Sequence, residues 1–250
     1  MSLNAYDRAR YSRQILLEEW GEEGQTRINS ASVFIAGAGG LGSPVAMYLA
    51  AAGVGEIRIC DGDVVELSNL NRQILHNDDR VGALKAESAG RTLRALNPTI
   101  RVVTYGETLD ENNVEWIIGS ADILVDCLDN YETRYLLNDF SIQHHIPLVH
   151  GAIWGLMGQV SFLNPPETAC LQCLIPSPPA FGTFPAVGAT PGVIGSLQAL
   201  EVLKYLTSIG TNLRGTLLIV DGEDMSFTRL SITPNRYCPA CGNAPADRSI

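Results

Sequence analysis

The sequence predicts an α/β fold: a mainly parallel sheet with helices on both faces, continuing into antiparallel strands. Three observations predict it. From residue 32 to about 150, apolar runs of strand length alternate with helix-length segments, the pattern of parallel strands joined by helical crossovers. From residue 148 two strand-like runs follow one another with only glycines between them, which switches the pairing to antiparallel. A glycine loop, "GAGGLG" at 37–42, closes the first apolar run and opens a helix, as in Rossmann-like folds.

Taken in order, residues 1–30 read as a polar, helical N-terminal arm. Leu16, Leu17 and Trp20 form one expected apolar stripe, broken by Gly21 and Gly24. "SVFIAG" is the first strand and "SPVAMYLAAAG" a small-residue helix ending at Gly53. "EIRICD" is a strand, and "KAESAGRTLRALNP" a helix stopped at Asn97-Pro98. "IRVVTY" and "DILVDC" are strands, "TRYLLNDFSIQHH" a helix and "IPLVHG" a strand. "LVHGAIWG" and "GQVSFLNP" are the first antiparallel pair. Residues 164–192 carry seven of the 13 prolines, so they read as a long irregular crossover of the kind that serves function. A helix, "VIGSLQALEVLKYLTSIG", and strands "TLLIVD" and "SFTRLSI" follow, with a tail expected to be partly disordered at its end. One domain over 1–250 is expected, with a first half at 31–150 and a second at 151–250.

Bulk composition excludes several classes. The chain has 250 residues, 46% hydrophobic and 18% charged, enough for a sizeable core. A net charge of -10 without a Lys/Arg cluster argues against nucleic acid and anionic membranes as partners. No apolar h-region opens the chain and no run reaches the ~20 residues of a membrane span, so a cytoplasmic location is the default expectation. Cysteines there stay reduced, and the six here read first as metal ligands, catalytic thiols or buried small residues.

Each glycine of the loop has a physical role. Gly37 allows a tight turn, Gly39 close approach of N–H groups to phosphate, and Gly42 helix–strand packing. Asp61 follows the second strand, where an acid accepts hydrogen bonds from ribose hydroxyls. These features alone fit NAD, and a glycine-rich turn without ligand is the bland alternative. The stretch past Asp61 shifts the balance. Asn69, Arg72 and Lys85 fall within one connection, and Lys85 opens a helix, where a cation opposes the macrodipole unless an anion offsets it. A triphosphate is such an anion. Taken singly, these residues read as solvated loop positions, and only their grouping raises them. "DILVDCLDN" ends a strand at the sheet's carboxyl edge, where Asp129 beside Asn130 could hold Mg²⁺ through oxygen ligands; helix capping by Asp129 is the equal alternative.

"CLQC" at 170–173 and "CPAC" at 238–241 are two C-x₂-C pairs, the pattern of a closed tetrahedral zinc site on Cys170, Cys173, Cys238 and Cys241. A redox dithiol is the alternative, though neither pair reads as lying at a strand–helix turn. Cys60 and Cys127 read as buried core residues. The four histidines, 76, 144, 145 and 150, form no triad and no H-x-x-x-H pattern.

Assembled, "RYSRQI", "GAGGLG", "AAGVGEIRICDGDVVELSNLNRQ", "VGALKAES", "DCLDN" and the two C-x₂-C pairs resemble the MoeB/ThiF family of E1-like enzymes. The resemblance runs from about residue 6 to 241, and "SNLNRQ" is its specific motif. It implies ATP-dependent adenylation of the C-terminal glycine carboxylate of a ubiquitin-like sulfur carrier protein, MoaD- or ThiS-like and ending in Gly-Gly, with release of pyrophosphate. It implies that Gly39, Gly40 and Gly42 line the nucleotide loop, Asp61 binds ribose with Asp63 nearby, and Asn69, Arg72 and Lys85 contact phosphates. Asp129 would hold Mg²⁺, Arg13 would reach the active site of the other subunit of a homodimer, and residues 151–250 would bind carrier and zinc. Such carriers serve molybdopterin and thiamin biosynthesis, tRNA thiolation and protein modification. Many relatives have a cysteine in the crossover loop, whereas "SPPAFGTFPAVGAT" has none, so adenylation without a thioester step is expected. The other readings are a dehydratase that adenylates tRNA-linked threonylcarbamoyl-adenosine, an NAD(P)-dependent oxidoreductase, and a silent ATP-binding scaffold.

Overall fold

The computed structural model describes residues 3–178, 182 and 184–242. The expected disordered tail end falls on 243–250, and part of the crossover on 179–181 and 183; these lie outside the described residues.

The N-terminal arm is three short helices, α1 (Ala5–Arg10), α2 (Ser12–Ile15) and α3 (Gly21–Ser30). Asn4 and Asp7 form a reciprocal capping box at the start of α1. The expected stripe does not form. Leu16 and Leu17 sit in the turn between α2 and α3, out of phase with Trp20, and both are exposed, whereas Trp20 packs on the core. Nor do the glycines break a helix: Gly21 opens α3 and Gly24 lies within it.

The sheet elements then follow in order. β1 (Ser32–Ala36), α4 (Gly42–Ala52), β2 (Glu56–Cys60), α5 (Lys85–Leu96) and β3 (Arg101–Tyr105) build one flank. α6 (Val114–Ile118), β4 (Ile123–Asp126), α7 (Tyr131–His144) and β5 (Leu148–Trp154) build the other. β6 (Met157–Leu163), α8 (Leu171–Leu174), α9 (Ala189–Thr207), β7 (Thr216–Asp221) and β8 (Ser226–Ser231) complete the described chain. Among the described residues the strands form one sheet of order β3-β2-β1-β4-β5-β6-β7-β8. Pairing is parallel through β5 and antiparallel from β5 to β8, as the alternation and then the glycine-separated strands predict.

Three details differ from the sequence reading. α6 is too short to show a period. α9 begins at Ala189, because Pro191 falls in its first turn, where a missing N–H costs no helical bond. The crossover also contains the single turn α8, and Cys170 is its N-cap residue, so that C-x₂-C pair does open a short helix.

Both faces of the parallel half are covered, which explains the unbroken apolar strands. Val33 and Ile35 point into a core under α4, α5 and α9, and Phe34 and Ala36 into one under α6 and α7. Toward β8 the second face opens: Trp154, Met157 and Leu230 are exposed. No described helix is long and apolar enough to cross a membrane.

The arm is tied down through Asn97, which is fully buried. Its Nδ2 donates to the Tyr11 hydroxyl at 2.9 Å and to the Ala50 carbonyl, near the end of α4, at 2.7 Å. Asn97→Ala strands both acceptors, and the expected cost is about 1–3 kcal/mol. Chemical denaturation should show a lowered midpoint, with faster proteolysis of residues 3–30; unchanged values for both would show that the arm is held elsewhere.

Candidate active site

A cleft of about 760 Å³ opens at the carboxyl edge of β1, β2 and β4, the edge where open α/β sheets bind ligands. The turn from β1 into α4 forms its floor. Gly37 has φ +99°, and a Cβ there would stand 2.7 Å from the Cys127 carbonyl oxygen. At Gly42 a Cβ would meet the Gly37 carbonyl oxygen at 2.0 Å. Only glycine lets this turn fold so tightly. No side chain caps α4; the Ser43 N–H goes to the Gly39 carbonyl and Pro44 has none, so the N–H groups left without a partner among the described residues at the cleft are those of Gly39, Gly40 and Leu41, in the turn that leads into the helix.

Asp61 holds that turn from the next strand end. Its carboxylate accepts from the Ala38 N–H at 2.8 Å and from the Asp63 N–H at 2.9 Å. Burial pushes the carboxyl above its ordinary range, against the pull of Lys85 and these two N–H groups. The remaining lone pairs of Asp61 face the cleft, the chemistry a ribose diol needs.

The cations gather on one side. Lys85, the first residue of α5, buries its stem and donates from Nζ to the exposed Asp63 carboxylate at 2.7 Å. Asp63 is therefore the anion that offsets Lys85 in this structure. Arg72 donates to the Ser68 carbonyl and the Asn71 side chain, both at 3.0 Å, and has no carboxylate partner among the described residues. Between Arg72 and the glycine loop lies Gln73, which sequence reading passed over although it completes "NRQ". It lines the cleft, and its buried Oε1 has no partner.

Asp129 is exposed at the cleft, on the turn between β4 and α7. It does not cap α7. Asn130 does, its Oδ1 accepting from the Thr133 N–H at 2.9 Å, so α7 starts at Tyr131 and the Asp129 carboxylate has no partner among the described residues. Gly39, Gly40, Asp61, Asp63, Arg72, Lys85, Asp129 and Asn130 thus line one cleft. Three expected residues do not. Gly42 lies just behind the turn. Asn69 turns its Oδ1 to the Glu66 N–H at 3.1 Å, shaping the loop that carries Arg72. Arg13 is exposed on α2 and is not part of the lining. Trp154 and Phe184, stacked at 6.3 Å between ring centroids, form the wall on the crossover side, a contact no local pattern reveals.

The four paired cysteines converge elsewhere, where α8 meets the segment after β8. Their sulfurs all lie within 4.8 Å of one another. Cys170–Cys173, Cys170–Cys238 and Cys173–Cys241 are 3.8, 3.6 and 3.4 Å apart. Disulfide sulfurs stand about 2 Å apart, whereas thiolates tetrahedral about zinc stand about 3.8 Å apart, so the cluster fits the metal. The Asn235 N–H donates to Cys173 Sγ at 3.3 Å, an outer contact suited to a thiolate. Cys60 and Cys127 are buried, and burial pushes the Cys60 thiol up to about 12.

With this geometry in hand, comparison with known proteins is informative. Residues 11–240 match the ThiF family. The chain belongs to the ThiF family. A relative from Haloferax volcanii named SAMP-activating enzyme E1 is 46% identical over 253 residues, covering 99% of this chain and 93% of that one. A Thermus thermophilus protein named sulfur carrier protein adenylyltransferase is 44% identical over 252 residues, covering 96% and 93%. Among solved structures, E. coli MccB with ATP superposes with a TM-score of 0.83 at 25% identity, covering 96% of this chain and 75% of that one.

Two buried imidazoles make stability depend on pH. Burial holds His76 below the usual 6.5, with Lys85 and Arg80 adding to the effect. Burial likewise lowers His150, outweighing the attraction of Asp126. The unfolded chain binds protons near pH 6.5 that the folded chain refuses, so stability is complete above that pH and declines below it. The denaturation midpoint should stay level above neutrality and fall between about pH 6.5 and 5, less steeply in His76→Gln. A flat profile through that window would contradict the assignment of neutral imidazoles.

Metal analysis should find one zinc per chain, and stripping it should lower Tm by about 5 °C or more, as should Cys241→Ser. Metal-free protein with unchanged Tm would remove zinc from the structure.

Proposed function

We propose that this protein adenylates the C-terminal glycine carboxylate of a ubiquitin-like sulfur carrier protein. The carrying observation is the cleft. The unpartnered amides of the glycine turn, Arg72 and Lys85 meet the carboxylates Asp61 and Asp129 in one space, and no histidine or serine is among its described lining residues. Such a site suits a reaction that needs charge neutralisation and alignment but no general base. A carboxylate is already ionised at neutral pH. Its oxygen attacks the α-phosphorus of ATP, the bond from that phosphorus to the bridging oxygen of the β-phosphate breaks, and pyrophosphate leaves with that electron pair. Asp61 would hold the ribose. Arg72, Lys85 and the amides of the glycine turn would take up charge on the phosphates, with Lys85 exchanging Asp63 for phosphate. Asp129 has the free oxygen ligands that suit Mg²⁺, which supplies further neutralisation of the phosphates when bound.

The names of the two curated relatives support the same substrate class, and neither the dehydratase nor the oxidoreductase reading is favoured by them. The face of β5–β8 that no described helix covers, with Trp154, Met157 and Leu230 exposed, is the surface we assign to the carrier. Arg13 lines no cleft within its own chain, which supports a homodimer in which it completes the partner's site. Exposed Tyr48 on α4 and Val193 and Leu200 on α9 give two mutually packed helices an apolar outer face for such an interface. The crossover from 174 to 188 holds no cysteine, so the product is released as acyl-adenylate without a thioester on that loop.

ATP–pyrophosphate exchange tests the proposal. Exchange should depend on a carrier ending in Gly-Gly, and Arg72→Ala and Asp129→Ala should each lower kcat about 100-fold or more. No thiol-sensitive conjugate with the carrier should accumulate. Exchange that survives in both variants would overturn the site, and a thiol-sensitive conjugate would overturn release as the adenylate.

A further inference from the structure

Behind the cleft lies a buried polar chain that the reaction above does not use. Asp126 ends β4 directly opposite His150 in the parallel register of β4 and β5, and both side chains are fully buried. His150 Nδ1 lies 2.7 Å from Asp126 Oδ2. The carboxylate can only accept, so Nδ1 carries the proton and Nε2 is an acceptor. That nitrogen is filled by the amide of Gln159, whose Nε2 lies 3.1 Å away on β6. An Asp–His pair is the usual frame of a general base, but here the ring is sealed from solvent and its basic nitrogen is occupied. It is therefore not built for proton transfer.

The other end of the chain shows what it is built for. Asp126 Oδ1 accepts from the Leu128 N–H at 3.0 Å. The Arg134 guanidinium, also buried, approaches that oxygen to 3.4 Å. Its Nη2 donates to the Leu128 carbonyl and, at 3.1 Å, to the Gly151 carbonyl. Leu128 is the residue before Asp129, and both of its peptide groups are gripped by one buried ion pair.

We infer that Asp126, Arg134 and His150 are positioning residues that lock the Leu128 peptides and so fix the Asp129 carboxylate at the cleft. The inference rests on the role proposed for Asp129. Asp129 itself is exposed on a short turn, and a ligand to metal or phosphate must be held to about 0.5 Å. The direction of each hydrogen bond from Gln159 to Leu128 is set by the neutral imidazole, which cannot donate to Gln159 and Asp126 at once. His150 holds the carboxylate in the rotamer that reaches Leu128, while Arg134 supplies the charge that keeps Asp126 ionised.

Removing Asp126 or Arg134 strands a buried charge and threatens the fold, so the test goes through His150 and Gln159. Calorimetry would measure binding of ATP with Mg²⁺ and of ATP in EDTA to the intact protein. His150→Ala should weaken MgATP binding about tenfold and leave ATP–EDTA binding within about twofold. His150→Asn, whose amide donates from the place of Nδ1, should recover to within about threefold of the parent. Half-buried Gln159→Leu, the variant least able to disturb folding, should show the same pattern at about threefold. Equal losses with and without Mg²⁺, no loss in any variant, or an Asn variant no better than Ala would overturn the inference. Pyrophosphate exchange by the parent protein separates the two ideas: its absence with every carrier counts against the proposed function, whereas the calorimetric contrast bears on the turn alone.

Discussion

Close approach of backbone to backbone between β1 and α4 is the constraint on which the cleft depends. The Gly42 Cα faces the Gly37 carbonyl with no room for a methyl group, and Gly37 presses on the Cys127 carbonyl. That contact draws α4 inward until the unpartnered amides of Gly39, Gly40 and Leu41, just before it, stand at the sheet edge. It also brings the β4–α7 turn beside the glycine loop. Asp61 then ties the loop to β2 through the Ala38 N–H. The glycine turn, Asp61 and the exposed carboxylate Asp129 are neighbours because two side chains are missing.

Electrostatics completes what packing begins. The chain is acidic overall, yet Arg72 and Lys85 share one cleft with the positive end of α4. Against an acidic exterior, this grouping of positive charge favours a phosphate ligand at the cleft. Lys85 is paired in a largely buried position with Asp63, which is itself exposed and free to give way to another anion. Asp126 is handled differently: its charge stays buried and is matched by Arg134, so it serves geometry where Asp63 serves exchange.

Much of this was legible in sequence and some was not, for definite reasons. Strands buried on both faces read as unbroken apolar runs, so β1 and β4 were visible as such, β2 was visible by its alternation, and the loss of intervening helices exposed the antiparallel switch after β5. Asp61, Lys85 and Asp129 were visible because they fall next to strand ends or at a helix start, and Arg72 because it is grouped with Asn69 and Lys85 in one connection. The division of labour between Asp129 and Asn130 was not, since either residue can cap a helix and the choice depends on one backbone turn. The Asp126–His150 pair joins residues 24 positions apart that meet only through strand register, so listing histidines could not find it. Leu16 and Leu17 misled because an apolar stripe was read across a turn. Gln73 was missed because an amide carries no charge to mark it.

The zinc cluster has a consequence for how the chain comes into being. Its ligands belong to segments 65 positions apart, so the first pair leaves the ribosome long before the second. Through that interval Cys170 and Cys173 are an open, half-built site. The metal can be enclosed only after α9, β7 and β8 have been made and laid across the sheet. Capture of a metal by these four cysteines would therefore be a late event in synthesis, closing only on a chain whose crossover and hairpin have already found their places.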